Sequence, residues 1–175
     1  MGADIAAVAA MSGFQTSLSD IDAEAVHEAV TRAGKLFERR LKTEEKIKSA
    51  LERLTADPGG KGIAKADMII EAVAERLSVK QSVFSAVEAV AKSDAILATN
   101  TSSIMIEDIA SALKAPERLI GLHFFNPVPV LPLVEVIAGS SSTQTSITRA
   151  MQFAGQLKKM PVKVKSVKGF LVNRA

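Results

Sequence analysis

His123 stands in Gly121-Leu122-His123-Phe124-Phe125-Asn126-Pro127, and Glu135 stands in the apolar run Leu133-Val134-Glu135-Val136-Ile137. An imidazole and a carboxylate set among large hydrophobic residues are the two groups in this chain best suited to proton transfer. A carboxylate flanked by Leu, Val and Ile is half buried at least, so it needs a partner or a shifted pKa. A carboxylate that accepts from one ring nitrogen fixes the tautomer and leaves the other nitrogen as a base. Pro127, Pro129 and Pro132 exclude a helix interior or a central ladder, so they read as an extended connection between two short strands, Leu119–Leu122 and Leu133–Ile137. Such a connection can fold Glu135 back beside His123. The spacing alone equally allows a satisfied core histidine beside an unrelated salt bridge.

Composition bounds the chemistry. The chain has 175 residues, enough for one domain with a sizeable core, and its hydrophobic (47%) and charged (23%) shares are ordinary for a globular protein. Without cysteine there is no disulfide, thiolate nucleophile or cysteine-ligated zinc, and two histidines make a multi-histidine metal site improbable. No metal is expected. A net charge of +3 and the absence of Tyr and Trp give no footing for nucleic acid. No apolar run reaches the roughly 20 residues of a membrane helix. Asp4 stands where a signal peptide needs a basic flank, and a reducing cytoplasm is compatible with the whole.

The elements that must position these groups follow in order. An alanine-rich helix opens the chain and closes at Gly13; Phe14–Ser19 alternates as a strand and leads into Asp20-Ile21-Asp22. Helix, strand, then acid is the middle of a dinucleotide-binding unit. Gly2 fits the last glycine of G-x-G-x-x-G, and Asp20 follows it at roughly the 20-residue distance of the carboxylate that accepts from the ribose of NAD. A carboxylate there repels the extra phosphate of NADP. Asp20 read instead as a helix cap competes with Asp22, which serves that purpose equally well. Ala23–Leu54 has helical periodicity, with Arg32, Lys35, Arg39, Arg40, Lys42, Lys46 and Lys48 off its apolar face. These basic residues are either a solvated surface or a landing site for the phosphates of a nucleotide-tailed substrate.

Further on, Met68–Val73 reads as a strand, Val79–Ala91 as a helix, Ala95–Thr99 as a strand running into Asn100-Thr101-Ser102-Ser103, and Ile106–Leu113 as a short helix. Ser141–Lys158 and Pro161–Val164 complete the pattern as helix and strand. Strands alternating with helices imply an α/β, Rossmann-like, doubly wound and mainly parallel sheet, here expected to lack its first strand. Ligands in such sheets meet the carboxyl ends of the strands, which puts Asp20, Glu75, Asn100–Ser103 and His123 at strand exits.

Four motifs in one order, Asn100-Thr101-Ser102-Ser103, Gly121-Leu122-His123-Phe124-Phe125-Asn126-Pro127, Leu133-Val134-Glu135-Val136 and Gly169-Phe170-Leu171-Val172-Asn173-Arg174, resemble the L-3-hydroxyacyl-CoA dehydrogenases of fatty-acid β-oxidation. The resemblance covers essentially the whole chain. It implies NAD as cofactor and an acyl-CoA as substrate, with His123 as general base, Glu135 orienting it, Ser102 holding the substrate oxygen and Asn173 completing the pocket. It further implies that Gly2, Asp20, Glu75, Lys80, Ser102 and Asn126 meet NAD. Pro132 and the Lys42-Thr43 junction look more like the dehydrogenase part of a bacterial multifunctional β-oxidation enzyme, so a homodimer or a larger complex is implied.

On this reading residues 1–168 are an incomplete NAD-binding domain and 169–175 begin a helical dimerisation domain. The chain as it stands is then expected to fold poorly and to turn over little substrate. Three alternatives stay open: an NAD-binding fragment without catalysis, a relative acting on a free hydroxy acid, and a structural protein of the same fold such as the lens crystallins that resemble this family.

Overall fold

The computed structural model describes residues 1–171, arranged as two compact units: Met1–Gly62 with Asn126–Val130, and Ile63–Phe125 with the chain from Leu131 onward. Asn173 therefore lies outside the described residues. Strands form one two-stranded and one five-stranded sheet, mostly parallel.

In the first unit, α1 (Gly2–Met11) leads through β1 (Thr16–Leu18) to α2 (Ala23–Arg40), α3 (Glu44–Arg53) and β2 (Leu54–Ala56). Small side chains let these helices approach closely: Ala6, Ala7 and Ala10 of α1 pack with Ala33, Phe37, Ala50 and Leu54. Gly13 ends α1 at φ +100°, a left-handed conformation that a Cβ disfavours. Strands β1 and β2 pair in parallel, Thr16 with Leu54 and Leu18 with Ala56. The single helix expected over Ala23–Leu54 is in fact two helices and the start of a strand. Leu41 is extended (φ −100°, ψ 135°), and the Thr43 hydroxyl caps α3 by accepting from the Lys46 N–H.

The second unit holds β3 (Met68–Glu71), α4 (Leu77–Val90), β4 (Ile96–Thr99), α5 (Ile106–Ala110), β5 (Leu119–Phe124), β6 (Leu133–Ala138), α6 (Gln144–Gln156) and β7 (Met160–Lys165). Their spatial order is β3-β4-β5-β6-β7; all neighbours are parallel except β5 and β6. Phe84, Leu97, Ile106, Ile109, Leu119, Ile137 and Phe170 fill the core. Gly121 sits where β5 passes Ile137 of β6; a Cβ there would stand 2.8 Å from the Ile137 side chain and 3.0 Å from Ile106.

Strand β5 runs two residues beyond the expected Leu119–Leu122, so His123 is inside the ladder rather than after it. Since β6 is antiparallel to β5, the start of β6 lies at the same end of the sheet as the exits of β3, β4 and β5.

Candidate functional site

That end of the five-stranded sheet collects Glu71 at the close of β3, Thr99 at the close of β4, His123 near the close of β5 and Glu135 near the start of β6. His123 and Glu135 are direct partners in the antiparallel ladder. Their side chains project to the same face as cross-strand neighbours, and Nδ1 lies 2.7 Å from Oε2. Both are buried, with side chains 8% and 1% exposed. An ionised carboxylate can only accept, so Nδ1–H donates and Nε2 is left as the lone-pair nitrogen.

The second oxygen of Glu135 accepts from the Leu171 N–H at 2.9 Å. Positive φ at Gly169 (81°) and Phe170 (49°) forms the turn that carries Leu171 there. Phe125 and Phe170 flank the imidazole, with ring centroids 4.4 and 6.0 Å away. The pair is thus a nitrogen base in an apolar wall, with its carboxylate held from two sides. Sequence reading missed the parts played by Phe170 and the Leu171 amide; the Gly169-Phe170 step was their one available signal.

Glu75 organises the loop after β4. Its Oε1 accepts from the Thr101 hydroxyl, from Ser102 N–H at 2.9 Å and from Ser103 N–H at 3.2 Å, and the Ser102 hydroxyl lies 3.4 Å away. Its Oε2 is 3.2 Å from the Lys80 ammonium. Partial burial pushes the Glu75 pKa up, but the bonds from Thr101 and Ser102 and the charge of Lys80 outweigh it and hold the group at about 2, down from 4.5. The folded value lies below the unfolded one, so the stability contributed by this carboxylate is complete above about 4.5 and is lost as pH falls toward 2. With the side chain 36% exposed, solvent screening keeps that contribution small. Acid unfolding of Glu75→Gln is expected to depend less steeply on pH in that window than the wild type; equal slopes would show that this carboxylate is not linked to folding.

The Asn100 side chain accepts from the Phe124 N–H at 2.9 Å, joining the exits of β4 and β5 and bringing the loop that bears Ser102 to the strand that bears His123.

Lys80 differs from its expected place. It is 1% exposed, and its ammonium points at Glu71 (2.8 Å), Glu75 (3.2 Å) and the Val73 carbonyl (3.4 Å), which occupies its three donors internally. A direct bond from Lys80 to a cofactor would have to break one of these. Glu71, absent from the sequence reading, is the buried counter-charge. A carboxylate closing the apolar strand Met68-Ile69-Ile70 was its signal.

In the other unit, Asp22 caps α2 by accepting from the Glu24 and Ala25 N–H groups. Asp20 is exposed just after β1, and its Oδ1 accepts from the Asp22 N–H at 3.2 Å. Asp20 therefore is not the cap, and its outer oxygen suits a sugar diol. Gly2 is the first residue of α1. Asn126, exposed, begins the segment that packs with this unit. Pro127, Pro129 and Val130 of that segment line a cleft of about 300 Å³ with Leu36, Arg39 and Arg40 of α2.

Among the described residues no group of His, Cys, Asp and Glu side chains is placed to hold a metal ion, and no helix is long and apolar enough to cross a membrane. Each unit by itself offers polar groups of a kind that suits NAD: an exposed carboxylate follows β1 in the one, and a partly exposed carboxylate and a serine follow β3 and β4 in the other, at strand ends where parallel sheets receive dinucleotides.

Comparison with known proteins identifies the domain. The family model of the NAD-binding domain of 3-hydroxyacyl-CoA dehydrogenases matches residues 1–167. Among curated proteins, the fatty acid oxidation complex subunit alpha of Pseudomonas putida (strain GB-1) is 40% identical over 178 aligned positions, which cover 99% of this chain and 25% of that protein. The chain thus spans about a quarter of the length of the curated relatives it matches. The crystal structure of 3-hydroxybutyryl-CoA dehydrogenase from Escherichia coli K12 superposes with a TM-score of 0.95 at 41% identity, over 99% of this chain and 38% of that one. That of (S)-3-hydroxybutyryl-CoA dehydrogenase from Ralstonia eutropha does so with a TM-score of 0.94 at 34% identity, over 99% and 63%. With a matching family model over nearly its whole length and an NAD-type donor set at its strand exits, this chain belongs to the 3-hydroxyacyl-CoA dehydrogenase family, as its NAD-binding domain.

Proposed function

We propose that the protein oxidises L-3-hydroxyacyl-CoA to 3-ketoacyl-CoA with NAD, as a cytoplasmic step of fatty-acid oxidation within a larger enzyme or complex. The observation that carries this is the buried His123–Glu135 pair at the strand exits. Bound NAD supplies the acceptor for the hydride leaving C3. His123 Nε2 takes the proton of the 3-hydroxyl, while Glu135 holds Nδ1–H and stabilises the imidazolium that results. The Ser102 hydroxyl orients the substrate oxygen. Phe125 and Phe170 keep water from the ring.

On the cofactor side, Asp20 would accept from the adenosine ribose, Glu75 and Asn126 would contact NAD, and Gly2, as the last glycine of its motif, would let α1 pack closely on its strand. Lys80 acts there through Glu75. Arg39 and Arg40 in their cleft with Pro127 and Pro129 suit the phosphates of the CoA tail. The name of the Pseudomonas putida relative supports fatty-acid oxidation within a complex.

The test is NADH formation by the full-length protein, followed by absorbance, with 3-hydroxybutyryl-CoA and with free 3-hydroxybutyrate. Turnover of the thioester alone is expected. Equal turnover of the free acid would favour a hydroxy-acid dehydrogenase, and NADH binding without any turnover would favour a cofactor-binding module.

A further inference from the structure

We propose that Glu71 is a positioning residue that fixes both cofactor-facing loops of the five-stranded sheet from beneath; this rests on the reading that Glu75 and Ser102 meet NAD. Glu71 is 4% exposed and closes β3, where its ladder partner is Thr99 of β4. Its two oxygens reach into both strand exits. Oε1 accepts from the Lys80 ammonium at 2.8 Å and from the Val73 N–H at 2.6 Å, which fixes the loop leading to Glu75. Oε2 accepts from the Thr99 hydroxyl at 2.7 Å, and that hydroxyl accepts in turn from the Thr101 N–H at 3.2 Å. Thr101 then donates its own hydroxyl to Glu75. The bonds close a ring, Glu71–Lys80–Glu75–Thr101–Thr99–Glu71, in which the most exposed member is Glu75.

A buried ion pair contributes little net stability against an apolar replacement, and its best-attested use is to impose one arrangement out of several. Here the arrangement imposed is that of Glu75 and the Ser102 and Ser103 amides. With Glu71 neutral, Lys80 keeps Glu75 as its one carboxylate partner among the described residues, and Glu75 is pulled away from the Thr101 hydroxyl and the Ser102 and Ser103 amides toward the interior.

The experiment titrates NADH fluorescence against the purified full-length protein and records Tm for Glu71→Gln, Thr99→Val and the double variant Glu71→Gln/Lys80→Met. Glu71→Gln is expected to raise the Kd for NADH about tenfold, the value of a charge-assisted hydrogen bond, with KM for the acyl-CoA unchanged. Thr99→Val, which keeps the Glu71–Lys80 ion pair but takes one partner from Glu71 Oε2 and from the Thr101 N–H, is expected to raise the Kd less but measurably, with a smaller fall in Tm than Glu71→Gln. The double variant is expected to regain Tm relative to Glu71→Gln without regaining NADH affinity. A merely structural role would lower Tm and leave the Kd of the folded protein unchanged. Variants that bind NADH as well as a binding wild type overturn this proposal alone, with Thr99→Val deciding if Glu71→Gln fails to fold. A wild type that binds no NADH overturns the cofactor reading and this proposal together.

Discussion

Replacing His123 with asparagine is expected to lower kcat about 10²–10⁴-fold, the usual contribution of a positioned base, while NADH affinity and Tm stay near wild type. Asparagine is the informative replacement because of what surrounds the ring. Its amide nitrogen, bonded to Cγ as Nδ1 is, can still donate to Glu135 Oε2, so the buried carboxylate keeps that bond and the one from the Leu171 N–H, and no unpaired charge is created. The amide has no nitrogen able to take a hydroxyl proton. Loss of turnover without loss of cofactor binding or fold therefore isolates proton transfer. Wild-type turnover in this variant would remove His123 from the reaction and leave a dinucleotide-binding domain with a buried core pair.

Glu135→Gln is expected to cost about as much, again 10²–10⁴-fold, through the tautomer. The wild-type carboxylate accepts on both sides, from Nδ1–H and from the Leu171 N–H. A glutamine in that place satisfies both neighbours in one orientation: its carbonyl toward the Leu171 N–H and its NH₂ toward Nδ1. Nδ1 then becomes an acceptor and the proton moves to Nε2, which can no longer take one from substrate. The opposite orientation sets NH₂ against N–H at a buried site and leaves donors unsatisfied. Stability near wild type, a large fall in kcat and inverted ring ¹⁵N shifts are the joint signature. Unchanged kcat would mean that the tautomer is set elsewhere.

Much of this arrangement was legible in the chain itself. The Pro-interrupted stretch between two apolar runs implied a folded-back connection, and it is the β5–β6 hairpin that places Glu135 opposite His123. Gly13 and Asp22 marked the end of α1 and the start of α2 by their own backbone chemistry. What escaped notice was short or non-local. Strand β2 has three residues, too few to show a period, and the periodicity before it is helical, so Leu54 read as the end of a helix. The break before α3 depends on one threonine hydroxyl. The length of β5 is set by pairing with β6 rather than by its own residues. Lys80 was expected at the cofactor from the family resemblance alone; its direction inward is decided by Glu71, a contact that no spacing along α4 announces. The amide of Leu171 is a site feature without a side-chain signature.

Gly121 also does something for the distant end of its own hairpin. Side chains in a strand alternate faces, so sliding β5 against β6 by one residue would send the ring of His123 and the carboxylate of Glu135 to opposite faces. Sliding by two keeps the face but brings either Leu119 or His123 opposite Ile137, in a space that does not hold even a Cβ without displacing Ile137. The missing methyl works as a key that admits one alignment of the two strands. The alignment of the base with its partner is thus set by the two strands themselves and not by residues 125–132 that join them.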